Sequence, residues 1–152
     1  MSSEARLMLG ITLLTIPTIV FGGLTVLGVL TSGAAGIPPP TLAPLQQALY
    51  RAGHAHAGVL LILSLFMQVA LDHARLGRGV VWSARVAAPL AAVLVSGGFF
   101  GLAHFPPLRV LLYGGAASLV YSTLVVGVGL LRSLRRPVRA APSLFGLSPQ
   151  PN

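Results

Sequence analysis

The chain has 152 residues, 55% of them hydrophobic and only 8% charged. A soluble domain carries roughly 25% charged residues, so this composition belongs to a membrane protein forming one compact unit. The lack of cysteine excludes disulfides, thiolate metal sites and cysteine nucleophiles, and the net charge of +8 rests on ten arginines, with no lysine, against Glu4 and Asp72. In a soluble protein that excess would suggest a nucleic-acid partner. Here the positions of the arginines argue for membrane topology instead, and no nucleic acid is expected.

After a short polar head, residues 7–30 form an apolar run of 24 residues, and a spanning helix needs about 20. A signal peptide would have a shorter apolar region, so a retained span is expected. Pro17 should kink it and free a backbone carbonyl. Thr15, Thr18, Gly22 and Thr25 share one helical face, a small polar stripe suited to packing inside a bundle. Residues 31–50 read as a loop stiffened by Pro38, Pro39 and Pro40. Thr41 could cap a helix that begins before the hydrocarbon boundary and runs into the second span, with Pro44 in its first turn.

The second span is read over residues 52–71 and closes in a polar turn around Asp72 and His73. Trp82 and Arg85 look like interfacial anchors. The third span is read over 86–105, with Pro89 in its first turn, and the fourth over 108–131. The expected fold is therefore all-α: a four-transmembrane-helix domain over residues 1–136 in an up-down-up-down bundle, with a disordered cytoplasmic tail over 137–152. Gly97 and Gly101 fit the small-residue packing rule, together with Gly98, Gly114 and Gly115. Eight arginines (Arg6, Arg75, Arg78, Arg85, Arg132, Arg135, Arg136, Arg139) fall on one side and only Arg51 and Arg109 on the other. The positive-inside rule then puts both termini in the cytoplasm, as expected for a multi-pass protein of the inner membrane.

This topology brings His54, His56 and His104 to the outer end, with Arg51 and Arg109. His73 lies at the opposite end, about 25 Å of helix from His56. An imidazole within a membrane span marks a functional site by default. His54 and His56 stand two residues apart, about 200° around a helix, and cannot easily grip one small ion together. His54 shares its face with Gly58, Leu61, Gln68 and Asp72, whereas His56 shares its face with Leu60, Leu63 and Met67. The polar and small residues on the first face suggest that His54 looks into the bundle. The single amide of Gln68 is too little for an ion-transport path.

The run Ala55-His56-Ala57-Gly58-Val59-Leu60 resembles the second-helix segment of heme-copper oxidase catalytic subunits. Arg51-Ala-Gly-His54 is similar to the Arg-x-x-His form of the nitric oxide reductase side of that superfamily. The whole His-Ala-His-Ala-Gly run is also similar to small stand-alone oxidase subunit I-like membrane proteins. What the resemblance implies is heme ligation, with His56 in the ligand position. The large subunit's twelve or so spans and its three-histidine copper site have no counterpart here, so the implication stops at a heme-binding half-motif.

Three functions fit these residues. The first is a small b-type cytochrome: heme b held by His54 or His56, with or without His104, and serving electron transfer, a quinol or a small gas. Gly58 and Gly101 would admit the macrocycle edge, and Arg51 and Arg109 would meet its propionates. The second is an accessory subunit without cofactor, working in a larger membrane complex or as a homo-oligomer, whose histidines make only hydrogen bonds. The third is an outer-side copper site built from the same three histidines. No Walker loop, dinucleotide fingerprint, zinc-protease motif or Ser-His-Asp arrangement occurs.

Overall fold

A computed structural model describes residues 1–31 and 42–134. The proline-rich loop, the Thr41 cap and the tail after Pro137 lie outside the described residues. Those described form helices α1 (Ser3–Leu14), α2 (Ile16–Thr31), α3 (Pro44–Leu71), α4 (Arg78–Leu102) and α5 (Arg109–Leu134), with a 3₁₀ turn at Pro106–Leu108 before α5. Four stretches are long and apolar enough to cross a bilayer: Ser3–Thr31, Pro44–Leu71, Arg78–Leu102 and Pro106–Leu134. Exposed apolar side chains such as Val59, Ile62, Phe66 and Val93 line their outer faces, as a lipid environment requires.

The first span is broken where proline demands it. Pro17 has no N–H for the carbonyl of Leu13, and its ring crowds that carbonyl. The helix ends at Leu14 and restarts at Ile16. At the break, the Thr12 carbonyl accepts the Thr15 N–H at 3.2 Å and the Thr15 hydroxyl at 2.7 Å. The threonine face does not pack into a helix interface. Thr15, Thr18 and Thr25 are exposed, their hydroxyls donate to their own helix carbonyls, and a methyl added at Gly22 would meet nothing within 4 Å. A threonine can satisfy its hydroxyl within its own helix, so small polar spacing alone does not mark an interface.

Helix α3 starts ahead of the apolar stretch, with Ala43 as cap and Pro44 as first residue. The Gln46 side chain accepts the Ala43 N–H at 3.0 Å and donates to the Ala103 carbonyl at 3.0 Å. One amide therefore begins α3 and closes the end of α4. Helix α4 starts at Arg78, earlier than expected, because Arg85 is inside the helix and 2% exposed rather than an interfacial anchor. Pro89 consequently lies mid-helix and not in the first turn.

Helices α3 and α4 run antiparallel, joined by Gln46 and Ala103 at one end and by Gln68 and Arg85 at the other. Helix α5 packs along α4. The contact is made by Gly98 against Leu112, Gly115 against Val95, and Gly101 against Leu108, where an added methyl would lie 2.6–2.7 Å from the neighbour. Gly97 is exposed and meets nothing, so the seam runs through Gly98 and Gly101 rather than Gly97 and Gly101. The core has two layers: Met67, Leu71, Ala84, Ala88 and Val126 in one, Leu60, Ala92 and Val95 in the other.

Gly115→Val should destabilise the protein by about 1–3 kcal/mol, since its Cβ would press on both the side chain and the backbone of Val95. Gly97→Ala should cost nothing measurable. Denaturant titration of the two variants in micelles checks the contrast, and equal effects would refute the seam.

Candidate functional site

Polar chemistry gathers at the two ends of the α3–α4 pair. At the end where α3 begins and α4 finishes, Phe100 lies over Gly53, where a methyl would be 3.1 Å from its ring, and packs on Tyr50 with ring centroids 5.6 Å apart. The Tyr50 hydroxyl meets Nε2 of His104 at 2.8 Å. His104 is exposed and one ring nitrogen is engaged by tyrosine. Arg51 and Arg109 are exposed at this same end.

The two neighbouring histidines diverge, as their spacing dictates. His54 is half-buried and turned toward α2, where a methyl on Gly23 would lie 2.7 Å from its ring. Its ring makes no hydrogen bond with a described residue. His56 is exposed, its Nδ1 lies 2.7 Å from the Ala52 carbonyl one turn back, and its ring is 4.8 Å from Phe99 of α4. The three rings thus meet three different partners: Gly23, the Ala52 carbonyl with Phe99, and Tyr50. Among the described residues no group of three or more His, Cys, Asp or Glu could hold a metal ion. Gly58 faces open space, whereas the space beside Gly101 is filled by Leu108. His73 is exposed at the other end, its Nδ1 3.1 Å from the Val69 carbonyl.

At that other end lies a buried polar cluster that sequence reasoning did not assemble. Pro89 cannot donate to the carbonyl of Arg85, four residues earlier. Gln68, fully buried on α3, donates its Nε2 to that carbonyl at 2.8 Å. Arg85 returns two bonds through Nη1, to the Gln68 carbonyl at 2.9 Å and to its Oε1 at 3.2 Å. Its Nη2 reaches Oδ1 of Asp72 at 2.6 Å. Asp72 also takes the Ser2 backbone N–H and the Ser2 hydroxyl, each at 2.7 Å. Ser2 in turn caps α1 by accepting the Ala5 N–H at 3.1 Å. The beginning of the first span is therefore tied to the end of α3 and the first turns of α4.

A signal for this cluster was present. Gln68 and Asp72 share one face of α3 at i, i+4, and Arg85 and Pro89 stand at the same spacing on the next helix. In the sequence Arg85 resembles an anchor because a cation near a span boundary ordinarily reaches for headgroups. Its partners 13 and 17 residues away become neighbours only through the helical hairpin.

Burial alone would raise the Asp72 carboxyl. The Ser2 hydroxyl and N–H and the Arg85 guanidinium outweigh that and hold the group below the ordinary carboxylate range.

No family model, curated protein or solved structure matches this chain. One end carries a half-buried imidazole and two exposed, hydrogen-bonded ones. The other is an interlocked set of charges suited to holding helices.

Asp72→Asn should destabilise the protein by about 3 kcal/mol at neutral pH, because it leaves the buried Arg85 without its counter-charge. The folded Asp72 value is depressed, so this contribution is present above the ordinary carboxylate range and lost as pH falls through the lowered value. Unfolding titrations of wild type and variant should therefore converge only in strong acid. A constant gap down to that range would refute the assignment.

Proposed function

We propose that this chain is a heme-binding, electron-transferring protein of the inner membrane, resembling a b-type cytochrome, with His56 as the ligand. The observation that carries the reading is the 2.7 Å contact between His56 Nδ1 and the Ala52 carbonyl. A carbonyl only accepts, so Nδ1 holds a ring proton, and in the neutral ring the lone pair is then on Nε2. Metal-ligating histidines are set in this way, with the second nitrogen donating to a carbonyl or carboxylate. His73 makes a longer contact of the same kind. What distinguishes His56 is the Phe99 ring beside it and the small residues Ala55, Ala57 and Gly58 around it, the last facing open space.

His54 lies against α2 and His104 is engaged by Tyr50, so the reading is for a single imidazole from this chain. Arg51 and Arg109, exposed at the same end, are suited to pairing with propionates. Heme bound there would supply one-electron chemistry toward a quinol, a small gas or a protein partner. Because His56 is exposed, the remaining wall comes from outside these helices: lipid, a second copy or a larger redox complex. The arginine distribution supports an orientation with both termini cytoplasmic.

A second reading rests on a different observation. His104 is hydrogen-bonded within the protein, and the buried charges are interlocked with each other. That is what an accessory membrane subunit without cofactor would show.

Pyridine-hemochrome analysis of protein purified from heme-replete cells separates the two. Heme binding predicts a Soret band that His56→Ala abolishes and that His104→Ala and His73→Ala leave in place. Wild-type protein without porphyrin would leave the accessory reading standing. For the orientation, reporters fused at Ala35 and at Asn152 should report opposite sides of the membrane. The same side for both would overturn it.

A further inference from the structure

Where α3 finishes and α4 begins, the turn between them is seated on α5. The Arg75 N–H donates to the Gly129 carbonyl at 3.1 Å, and a methyl on Gly129 would lie 2.7 Å from both Ala74 and Leu76. Glycine at that position lets the turn come so close. Arg75 is thereby held at Gly129, about one helical turn from Arg132 in the last turn of α5.

Both arginines are exposed, and neither side chain has an ion pair or hydrogen bond with a described residue. The chain has two acidic side chains, and each already has an arginine: Glu4 lies 3.7 Å from Arg78 and Asp72 2.6 Å from Arg85. Two guanidiniums at one edge of the bundle are thus left without a counter-charge among the described residues.

An apolar groove of about 250 Å³ starts at Arg132 and is otherwise lined by Leu76, Val80, Leu124, Val125 and Val128. Val128 and Leu124 stand one and two turns further into the span than Arg132, about 12 Å of helix in all. The groove therefore has a cationic end at the helix terminus and an apolar length running inward. An acidic phospholipid has the matching order, with phosphate at the boundary and acyl chain inside. A soluble phosphate would meet the guanidiniums and leave the groove uncovered, and a zwitterionic lipid would bring its own cation to them.

We propose that this groove holds an acyl chain of an acidic phospholipid whose phosphate is bound by Arg132 and Arg75. Basic pockets between spanning helices take acidic head groups by the same electrostatics. The site shares no residue with the His56 end and does not rest on heme binding.

The test uses the full chain in a zwitterionic detergent, with bound lipid counted by native mass spectrometry against lipid concentration. The probes are dioleoylphosphatidylglycerol, dioleoylphosphatidylcholine and, as the head group alone, glycerol 3-phosphate. An arginine beside an acidic lipid surface is worth about fivefold in affinity, so wild type should prefer phosphatidylglycerol by about 25-fold. Arg132→Gln should cut that preference about fivefold, and adding Arg75→Gln should abolish it. Arg6→Gln, which removes one charge from the same end but away from the groove, should leave it in place. Val128→Trp fills the groove with both arginines present and should weaken both lipids, and Leu124→Trp should act likewise. All these side chains are exposed, so the unliganded melting temperatures should stay close to wild type. A preference that survives the double arginine variant, an equal loss in Arg6→Gln, or undiminished lipid binding in both tryptophan variants would overturn the proposal. So would displacement of the lipid by an equal concentration of glycerol 3-phosphate, which would show a phosphate site without a chain groove.

Discussion

The arrangement depends on the carbonyl that Pro89 leaves without its helical donor. Inside a bilayer a free backbone carbonyl has no water to turn to, and each such group is expensive. Gln68 donates to it, Arg85 answers Gln68, and Asp72 neutralises Arg85. Every step is forced by the one before it. A buried guanidinium needs a counter-charge, and a buried carboxylate needs donors, which Ser2 supplies. A backbone defect in one helix thereby becomes the joint that holds three segments of chain together.

That joint also sets the register of the opposite end. Once Gln68 faces Arg85, an antiparallel pair of rigid helices has little freedom left along its length. Gln46 then falls opposite Ala103, Tyr50 opposite His104, and Gly53 under Phe100. The imidazoles are presented by a surface whose alignment is fixed some 25 Å away. The rest of the packing is made by closeness rather than polarity. Glycines on α4 and α5 admit Leu112, Val95 and Leu108, which suits a setting where hydrophobic burial no longer drives helices together.

Proline has two separate consequences in this chain. Pro89 creates the orphan carbonyl that the clasp absorbs, and Pro17 breaks the first span at a point where a backbone N–H at the helix end takes up the Leu13 carbonyl. The first span meets the end of α3 through Ser2 and Asp72 and its beginning through Gly23 and His54, and a cavity lined by Ala57 and Leu61 of α3 lies between.

Much of the fold was legible in the sequence. Four apolar stretches of spanning length, the break at Pro17 and the early start of α3 at Pro44 follow from length, from hydropathy and from the missing proline N–H. Those are local properties of a chain in lipid. The opposed directions of His54 and His56 were also legible, since a two-residue step on a helix allows nothing else. Which groups act as partners was not. Arg85 reads as an anchor until the hairpin places it against Gln68 and Asp72. The threonine face reads as an interface until each hydroxyl turns to its own backbone. Gly101 reads as open until Leu108 fills it. Sequence by itself determined which four stretches are helical and apolar enough to span and which residues share a face, because both are set within a few residues by helical geometry and the cost of unsatisfied backbone. Tertiary structure alone decided which of those faces is buried and what each polar group pairs with, because that depends on the register and rotation of helices whose contacts lie far apart along the chain.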